Sequence, residues 1–214
     1  MAAVEAKRKN IDVSAALQQA RRYSGSFKPW HGVDVLVEAA AHLRERPVKF
    51  LLVGDGPERG ALEARVAALG LRDRFVLTGA VPYDCVPHEL AAADVCVAPF
   101  VPERHGPSRG RGFVLDPLKV FESLAMQRPT VTIRAANIEA LFRDGEHLRL
   151  VPPGDPVALA EALGQLIDDP AGARAMARAG HDLVIARHTW RSHAAQLVDL
   201  FGRMRREAGL PPVA

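Results

Sequence analysis

The chain has 214 residues, of which 48% are hydrophobic and 25% charged, values that are ordinary for a globular protein that needs no disulfide staples. The net charge of +3 is a mild excess, and part of it lies in the basic run over residues 7–9. We interpret that run as a solvated segment or as an attraction to an anion. Few aromatic residues and no basic stripe exclude a nucleic-acid-binding module.

Cysteine usage and hydropathy indicate a reducing, cytoplasmic setting. Cys85 and Cys96 are too few for a disulfide framework, and neither has the spacing of a metal site. Residues 1–22 lack the apolar core of a signal peptide, and the sequence has no run of about 18 uncharged apolar residues that would cross a membrane. The scattered histidines show no metal-binding spacing, so we expect no metal ion.

Short apolar runs alternate with helical patterns, which is typical of a parallel α/β sheet. Residues 1–22 are poorly specified and predict either a helix over 14–22 or the remnant of a linker. The elements that follow are predicted, in chain order, as a helix over 31–46, a strand over 48–54, a helix from Pro57, a strand over 74–79, a helix over 83–92, a strand over 93–100, a helix over 117–127, a strand over 129–134, a short helix over 137–145, a strand over 147–152, and helices over 156–168, from Pro170, and from Thr189 to about residue 207.

About five strands between helices predict a single Rossmann-like, doubly wound domain over residues 23–207. Residues 1–22 are assigned to an N-terminal tail or linker remnant, and residues 208–214 to a second tail. In open parallel sheets, ligands bind at the carboxyl ends of the strands, where loops and helix N-termini gather. Four segments of the sequence map to that edge.

The first of these segments is YSGSFKPWHG, which runs into a helix. Gly25 and Ser26 are small enough to let the backbone approach a ligand closely. Lys28 and His31 add positive charge near the N-terminus of a helix, which already favours anions. We interpret the segment as part of an anion site, and the alternative is an ordinary loop with a surface lysine.

The second and third segments contribute backbone rather than reactive side chains. In VGDGPERG, Gly54, Gly56 and Gly60 resemble a dinucleotide-binding fingerprint. The acidic residue that this fingerprint requires at the end of the next strand is missing, so we favour a glycine turn over an NAD(P) site. The third segment, LTGAVPYD, has an exposed backbone at Gly79 and Val81, and the alternative is a plain strand-to-helix turn.

The fourth segment, GFVLDPLKVFESLAMQRP, carries the most information. Asp116 and Pro117 predict the start of a helix, with Lys119 in its first turn and Glu122 three residues on, on the same face. A lysine in the first turn opposes the helix dipole, and this violation makes sense if an anionic ligand lies at the helix end. Glu122 could then accept hydrogen bonds from sugar hydroxyls. The alternative is an exposed ion pair.

Residues 101–116 break the alternation with a long loop that contains several cations. These cations are Arg104, His105, Arg109 and Arg111. Because guanidinium groups bind phosphate through two parallel hydrogen bonds, we hypothesise that the loop closes over a diphosphate. The alternative is a solvated loop.

Taken in order, the segments resemble the C-terminal domain of GT-B glycosyltransferases of the family-4 type (glycosyl transferases group 1). The resemblance covers residues 23–205 and rests on GSFKPWHGVDVLVEAA, LLVGDGPERGALEARVAALGL, RFVLTGAVPYDCVPHELAAADVCVAPF, DPLKVFESLAMQRPTV and RDGEHLRLVPPGDPVALAEAL. It implies a donor site for a nucleotide diphosphate sugar of the UDP or GDP type, which binds as substrate without a separate cofactor. It also implies a retaining hexosyltransferase.

The resemblance implies roles for single residues. Glu122 would bind the ribose hydroxyls, the amides of Leu118 and Lys119 would face the diphosphate, and the loop at Gly79 and Val81 would lie by the base. The candidate catalytic residues are Lys28, Lys119 and Glu122. The residues expected to bind the donor are Gly25, Ser26, His31, Gly54, Gly56, Gly79, Val81, Arg109, Arg111, Asp116, Leu118, Lys119 and Glu122.

This chain departs from the family pattern in three respects. Val114 stands where the common E-x7-E pattern has its first acid, although a PLK-F/L-E variant also lacks that acid. His31 stands where a lysine is usual, and Lys28 is the candidate substitute. The acceptor-binding half is missing, so the resemblance implies an N-terminal domain or a partner chain, through which any membrane association would occur. We expect the chain alone to be inactive. The alternatives are a non-catalytic nucleotide-sugar-binding subunit and half of a GT-B-fold sugar epimerase.

Overall fold

The computed structural model describes residues 3–8, for the backbone only, together with residues 27–114 and 117–209. The strands are β1 (Ala3–Arg8), β2 (Val48–Val53), β3 (Phe75–Gly79), β4 (Val95–Ala98), β5 (Thr130–Ile133) and β6 (Arg149–Val151). The α-helices of the described ranges are α1 (Val33–His42), α2 (Arg59–Ala68), α3 (Val86–Ala92), α4 (Leu118–Ala125), α5 (Ala136–Glu139), α6 (Pro156–Asp168), α7 (Pro170–Arg187) and α8 (Trp190–Glu207).

The six strands form one sheet in the order β3-β2-β1-β4-β5-β6, which is a doubly wound order. β2 pairs with β3 in parallel, and β4, β5 and β6 also pair in parallel. β1 is antiparallel to both of its neighbours, β2 and β4. β2 and β4 therefore run in the same direction, and their carboxyl ends lie at the same edge. The chain changes sides of the sheet between β3 and β4, so this edge is where a ligand crevice is expected.

Successive residues of β2 point alternately to the two layers of helices that cover the sheet. Phe50 and Leu52 of β2 belong to a core that contains buried residues of α1, α2 and α6. Leu51 and Val53 face the other side, where they pack with buried residues of α3. A third cluster joins the end of β4 to α4 and α7. Helices therefore cover both faces, and the predicted α/β, doubly wound fold is confirmed.

The first strand is the part of the sheet that the sequence analysis did not predict. Residues 1–22 were assigned to a tail or linker remnant, whereas the structure places Ala3–Arg8 at the centre of the sheet and antiparallel to it. Three of the six residues in AVEAKR are charged, and such a segment lacks the apolar run of a buried strand. The predicted helix over 14–22 and the end of the predicted tail, residues 210–214, lie outside the described residues.

Helix starts that were predicted from cap residues are confirmed in the C-terminal third of the chain. The carboxylate of Asp155 accepts hydrogen bonds from two amides in the first turn of α6, and that of Asp169 accepts one from the first turn of α7. Thr189 and Ser192 form a reciprocal capping box at the start of α8. These caps satisfy amide groups that the helices themselves leave unpaired.

Residues 27–32, which we call the entry segment, are fastened to the end of β2. The amide of Phe27 donates to the carbonyl oxygen of Asp55 at 2.7 Å, and its carbonyl accepts from the amide of Glu58 at 3.2 Å. A Cβ atom at Gly56 would overlap the backbone of Phe27. The predicted glycine turn after β2 thus exists because two backbone segments meet there.

The other end of the entry segment is fastened to the end of β4. The amide of Val101 donates to the carbonyl oxygen of Trp30 at 2.9 Å. Gly32 has a left-handed φ of 66°, and a Cβ atom at this position would overlap the carbonyl oxygen of Pro99. The entry segment therefore crosses the crevice between the two strand ends, and its position depends on glycine at both contacts.

Replacing Gly32 with alanine should lower the free energy of unfolding by more than about 3 kcal/mol, because the methyl group meets backbone in a left-handed conformation. Gly70 is a matched control, since its φ is 68° and nothing lies within 4 Å of an added Cβ atom. Gly70→Ala should cost only about 1 kcal/mol, from the backbone conformation alone. Urea unfolding of both variants checks this, and equal losses would show that the Pro99 contact is not restrictive.

Candidate functional site

The N-terminus of α4 lies beside the crevice and presents unpaired amide groups. Pro117 directly precedes the first helical residue, Leu118, so Lys119 lies in the first turn as predicted. The carbonyl of Pro117 accepts from the amide of Val120 at 2.8 Å. The amides of Leu118 and Lys119 have no acceptor among the described residues. This helix end can therefore donate two backbone hydrogen bonds to an anion.

An aromatic residue that the sequence analysis did not single out connects the two sides of the crevice. Phe100 follows β4, and the ammonium of Lys119 lies 5.0 Å from the centre of its ring. The ring of His31, from the entry segment, lies 6.1 Å from the ring of Phe100. The structure thus brings together two predicted site residues, His31 and Lys119, through the face and edge of one buried ring.

Burial moves the pKa values of Lys119 and Glu122, the two predicted charged residues of α4, towards 7. Burial of the Lys119 ammonium lowers its pKa to about 7, although the nearby Glu122 carboxylate opposes the change. Burial of the Glu122 carboxyl group raises its pKa to about 7, and the charge of Lys119 again opposes the shift. These shifts are typical of groups that have lost water without gaining a sufficient counter-charge.

Lys119 and Glu122 do not neutralise each other's charge through an ion pair. No ion pair joins Lys119 to Glu122 among the described residues, and the buried Oε2 atom of Glu122 has no hydrogen-bond partner. The exposed i,i+3 ion pair that we considered as the alternative is therefore excluded. A buried carboxylate oxygen without a hydrogen-bond partner and a half-buried lysine on one helix turn are suited to bind a ligand that has both hydroxyl and anionic groups.

The glycine segments after β2 and β3 meet at the same edge. The amide of Gly54 donates to the carbonyl of Gly79 at 3.0 Å and joins the ends of the two strands. Val81 is fully buried, so only its backbone can face a ligand. Gly56 contacts the entry segment, as described above. The second and third predicted segments are therefore adjacent in space.

The loop after β4 is more compact than the sequence suggests, because it contains two short 3-10 helices, Pro102–Arg104 and Gly106–Ser108. The guanidinium of Arg104 pairs with Asp34 at 2.7 and 2.8 Å. His105 is buried, and its Nδ1 lies 2.7 Å from the hydroxyl oxygen of Ser108. Arg104 therefore fastens the loop to α1, and His105 joins two positions within it.

The remaining predicted residues are distributed around this edge or lie outside the described ranges. Arg109 and Arg111 are exposed, and the Nε of Arg109 donates to the carbonyl of Glu103 at 3.2 Å. The Lys28 side chain is partly exposed and forms no ion pair with the described residues. The predicted binding residues Gly25, Ser26 and Asp116 lie outside the described residues.

Two further features are absent from the described residues. No group of three or more His, Cys, Asp or Glu side chains is placed to hold a metal ion. None of the helices combines the length and the apolar character that crossing a membrane requires.

The fold and the site define a doubly wound α/β domain whose candidate site residues gather at its topological switch point. The family model described as glycosyl transferases group 1 matches residues 22–169, and the chain belongs to this family. The alpha-D-kanosaminyltransferase of Streptomyces kanamyceticus is 31% identical over 190 residues, which cover 88% of this chain and 45% of that protein.

A second curated relative and two solved structures agree with this assignment. The GDP-mannose-dependent alpha-(1-6)-phosphatidylinositol monomannoside mannosyltransferase of Mycolicibacterium smegmatis is 31% identical over 184 residues, or 84% of this chain and 46% of that protein. HepE of Anabaena in complex with UDP has a TM-score of 0.73 at 19% identity, over 88% of this chain and 50% of that chain. The C-terminal domain of the group 1 protein LpcC from Francisella tularensis has a TM-score of 0.65 at 20% identity, over 86% of this chain and 96% of that chain.

The shares covered show which part of these proteins the chain corresponds to. The chain spans less than half of the length of the two curated relatives, but it covers nearly all of the isolated LpcC C-terminal domain. The predicted family and the predicted C-terminal half of a GT-B fold are therefore confirmed.

Replacing Glu122 with glutamine should stabilise the ligand-free chain at about pH 8, by about 1–2 kcal/mol, and leave its stability unchanged at about pH 4. Because the native pKa is raised to about 7, ionisation of Glu122 is free when the chain is unfolded and costly when it is folded. This cost is absent below the usual pKa of 4.5, grows as the pH rises, and is complete above about 7.

Urea unfolding of both proteins at the two pH values measures this difference. Glu161→Gln is the control, because Glu161 is exposed on α6. A Glu122→Gln variant that is less stable than the natural chain at about pH 8 would contradict the interpretation of a strained carboxylate.

Proposed function

We propose that the chain is the donor-binding domain of a glycosyltransferase, that it binds a nucleotide diphosphate sugar of the UDP or GDP type, and that the acceptor binds to a half that this chain does not contain. The observation that carries the proposal is the half-buried residues Lys119 and Glu122 at the N-terminus of α4, where a buried oxygen of Glu122 has no hydrogen-bond partner. The named activities of the curated relatives and the UDP in the HepE structure support it.

The residues can be assigned to parts of the ligand by their chemistry. The ammonium of Lys119 and the amides of Leu118 and Lys119 suit the diphosphate, because all are donors that are directed from one helix end. The free Oε2 atom of Glu122 suits the ribose hydroxyls, because an ionised carboxylate only accepts hydrogen bonds. His31 and Lys28 are the remaining cations of the entry segment for the phosphates.

The same donors would favour the transfer step. Departure of the diphosphate builds negative charge on its leaving oxygen. Positive groups that already lie in place stabilise that charge more in the transition state than in the ground state. Lys119 and the helix end would act in this way. We further propose that transfer retains the anomeric configuration, as the family resemblance implies.

Donor binding should couple to protonation of the pair. A diphosphate favours the protonated form of Lys119, and a ribose hydroxyl favours the ionised form of Glu122. Both groups have a pKa of about 7 without ligand, so in the bound state a proton moves from the carboxyl group to the amine. Affinity for UDP-glucose or GDP-mannose should therefore be highest near pH 7 and fall by up to about tenfold per pH unit on either side.

Calorimetric titration of both sugar nucleotides between about pH 5 and pH 9 tests this dependence and identifies the base. A sugar nucleotide is used because its diphosphate does not titrate near neutrality. Glu122→Gln should remove the decline on the acid side, and Lys119→Met should remove the decline on the alkaline side. Both variants should bind at least about tenfold more weakly at pH 7. Absence of binding by both sugar nucleotides would refute the proposal, whether or not NAD binds.

The arginines of the loop after β4 allow closure of this loop over the diphosphate to be tested separately. Arg109 and Arg111 are exposed and lie in the loop that follows β4. If they close over the diphosphate, Arg109→Ala combined with Arg111→Ala should lower sugar-nucleotide affinity about tenfold. The control is Arg44→Ala combined with Arg72→Ala, which removes the same charge from outside the loop. An unchanged affinity in the loop variant would refute closure but not donor binding.

The last helix offers a surface for the missing acceptor half. Its residues Trp190, Leu197, Phe201 and Met204 repeat at helical spacing on one face and are all more than half exposed. Because the chain spans less than half of its relatives, we propose that this stripe packs against the acceptor half. Fusing the N-terminal half of a relative to this chain should slow amide exchange in α8 but not in α6, and equal exchange would argue against the packing.

One observation favours the alternative of a non-catalytic nucleotide-sugar-binding subunit. Val114, which occupies the position of the first acid of the E-x7-E pattern, is 53% exposed, so it has no role in the core. Turnover measured with an acceptor half restored separates the two functions. Cys85 and Cys96 form no disulfide bond, which supports the proposed cytoplasmic location.

A further inference from the structure

A cavity of about 400 Å³ lies at the edge of the sheet opposite to the donor crevice. It is bounded by the amino ends of β4 and β5, by residues that follow α4, and by α6 and α7. Val95, Leu166 and Ala173 give it an apolar wall. None of the predicted donor residues lines it, so it is a separate feature of the molecule.

Arginine side chains give this cavity its charge. Arg128, Arg174 and Arg178 line it, and Asp94 is the one acidic residue among those that do. The lining therefore carries a net positive charge, in a volume that suits a small organic molecule.

Arg128 is held rigidly at the floor of the cavity. Its Nε donates to the carbonyl of Met126 and its Nη1 to the carbonyl of Ala93, both at 3.1 Å. These bonds use backbone acceptors, which carry no full negative charge, so the guanidinium keeps its charge uncompensated. Its Nη2 atom forms no hydrogen bond with the described residues.

Arg174 and Arg178 lie one turn apart on α7 and line the cavity together. Neither forms an ion pair or a side-chain hydrogen bond with the described residues. Arg46 and Arg65, by contrast, pair with acidic residues.

The backbone beside Arg128 is also unusual. Gln127 has a φ of 53° and is the one non-glycine residue with a positive φ among the described residues. It occupies the position after α4 where glycine is the ordinary choice, because a side chain is strained there. The exposed side chain of Gln127 lines the cavity and can donate hydrogen bonds. The helix end itself accounts for this conformation, because the amide of Gln127 donates to the carbonyl of Leu124 and that of Arg128 to the carbonyl of Ser123, as in a left-handed helix cap.

We propose that this cavity is a second binding site, for a soluble phosphate monoester with a compact apolar or ring-shaped body. Three guanidinium groups and an amide suit a phosphate, because they donate several charge-assisted hydrogen bonds. The apolar wall suits the body of the molecule. The helix α4 begins at the donor crevice and ends at this cavity, so the two sites would be connected by one helix.

Titration with phenyl phosphate, followed by amide NMR shifts of the full chain, tests the proposal. Saturable shifts are expected at residues 94–95, 127–129 and 170–178. Inorganic phosphate should bind more weakly, because it lacks the apolar body, and phenol should not bind. Arg174→Ala combined with Arg178→Ala should weaken phenyl phosphate binding at least about tenfold. Both residues are exposed, so the variant should fold.

Arg187→Ala combined with Arg206→Ala is the matched control, because these arginines are exposed, lie outside the cavity and remove the same charge. It should leave affinity within about twofold. The proposal is overturned if both double variants bind alike, if the shifts concentrate at residues 117–122, or if phenyl phosphate does not saturate. Binding only to vesicles of phosphatidic acid would also overturn it, since a soluble ligand is proposed.

Discussion

Two ionisable side chains, which the fold half buries without an ion pair between them, are the basis of the candidate site. Lys119 and Glu122 lie on one turn at the start of α4, both with a pKa of about 7, and an oxygen of Glu122 has no hydrogen-bond partner. Burying such groups destabilises the chain, and a sequence selected only for stability would have apolar residues there. A ligand with a diphosphate and neighbouring hydroxyls would supply the missing partners.

The rest of the domain positions this turn. The doubly wound strand order places the ends of β2 and β4 on either side of the switch point. The entry segment spans the two strand ends and is held by backbone hydrogen bonds and by glycines 32 and 56. Phe100, directly after β4, places an aromatic face against Lys119. Backbone contacts thus fix the crevice, and side chains of α4 provide its chemistry.

Sequence patterns predicted most of this fold because its elements are locally encoded. Apolar runs identified β2 and β4, and the caps at Asp155, Asp169 and Thr189 identified three helix starts. The pattern missed β1, because half of AVEAKR is charged and only pairing with β2 and β4 makes it a strand. It also could not predict the contact between Phe100 and Lys119, which joins residues from two elements. The position of Phe100 after a predicted strand was the available signal.

Titration of the two side chains themselves is the most direct test of the account. Carbon-detected NMR of the ligand-free chain can follow the Glu122 carboxyl carbon and the Lys119 carbon next to its amine as the pH changes. The account predicts that both titrate near pH 7, because both are buried without a sufficient counter-charge. Glu122 titrating near 4.5 together with Lys119 near 10.5, the ordinary values, would contradict it.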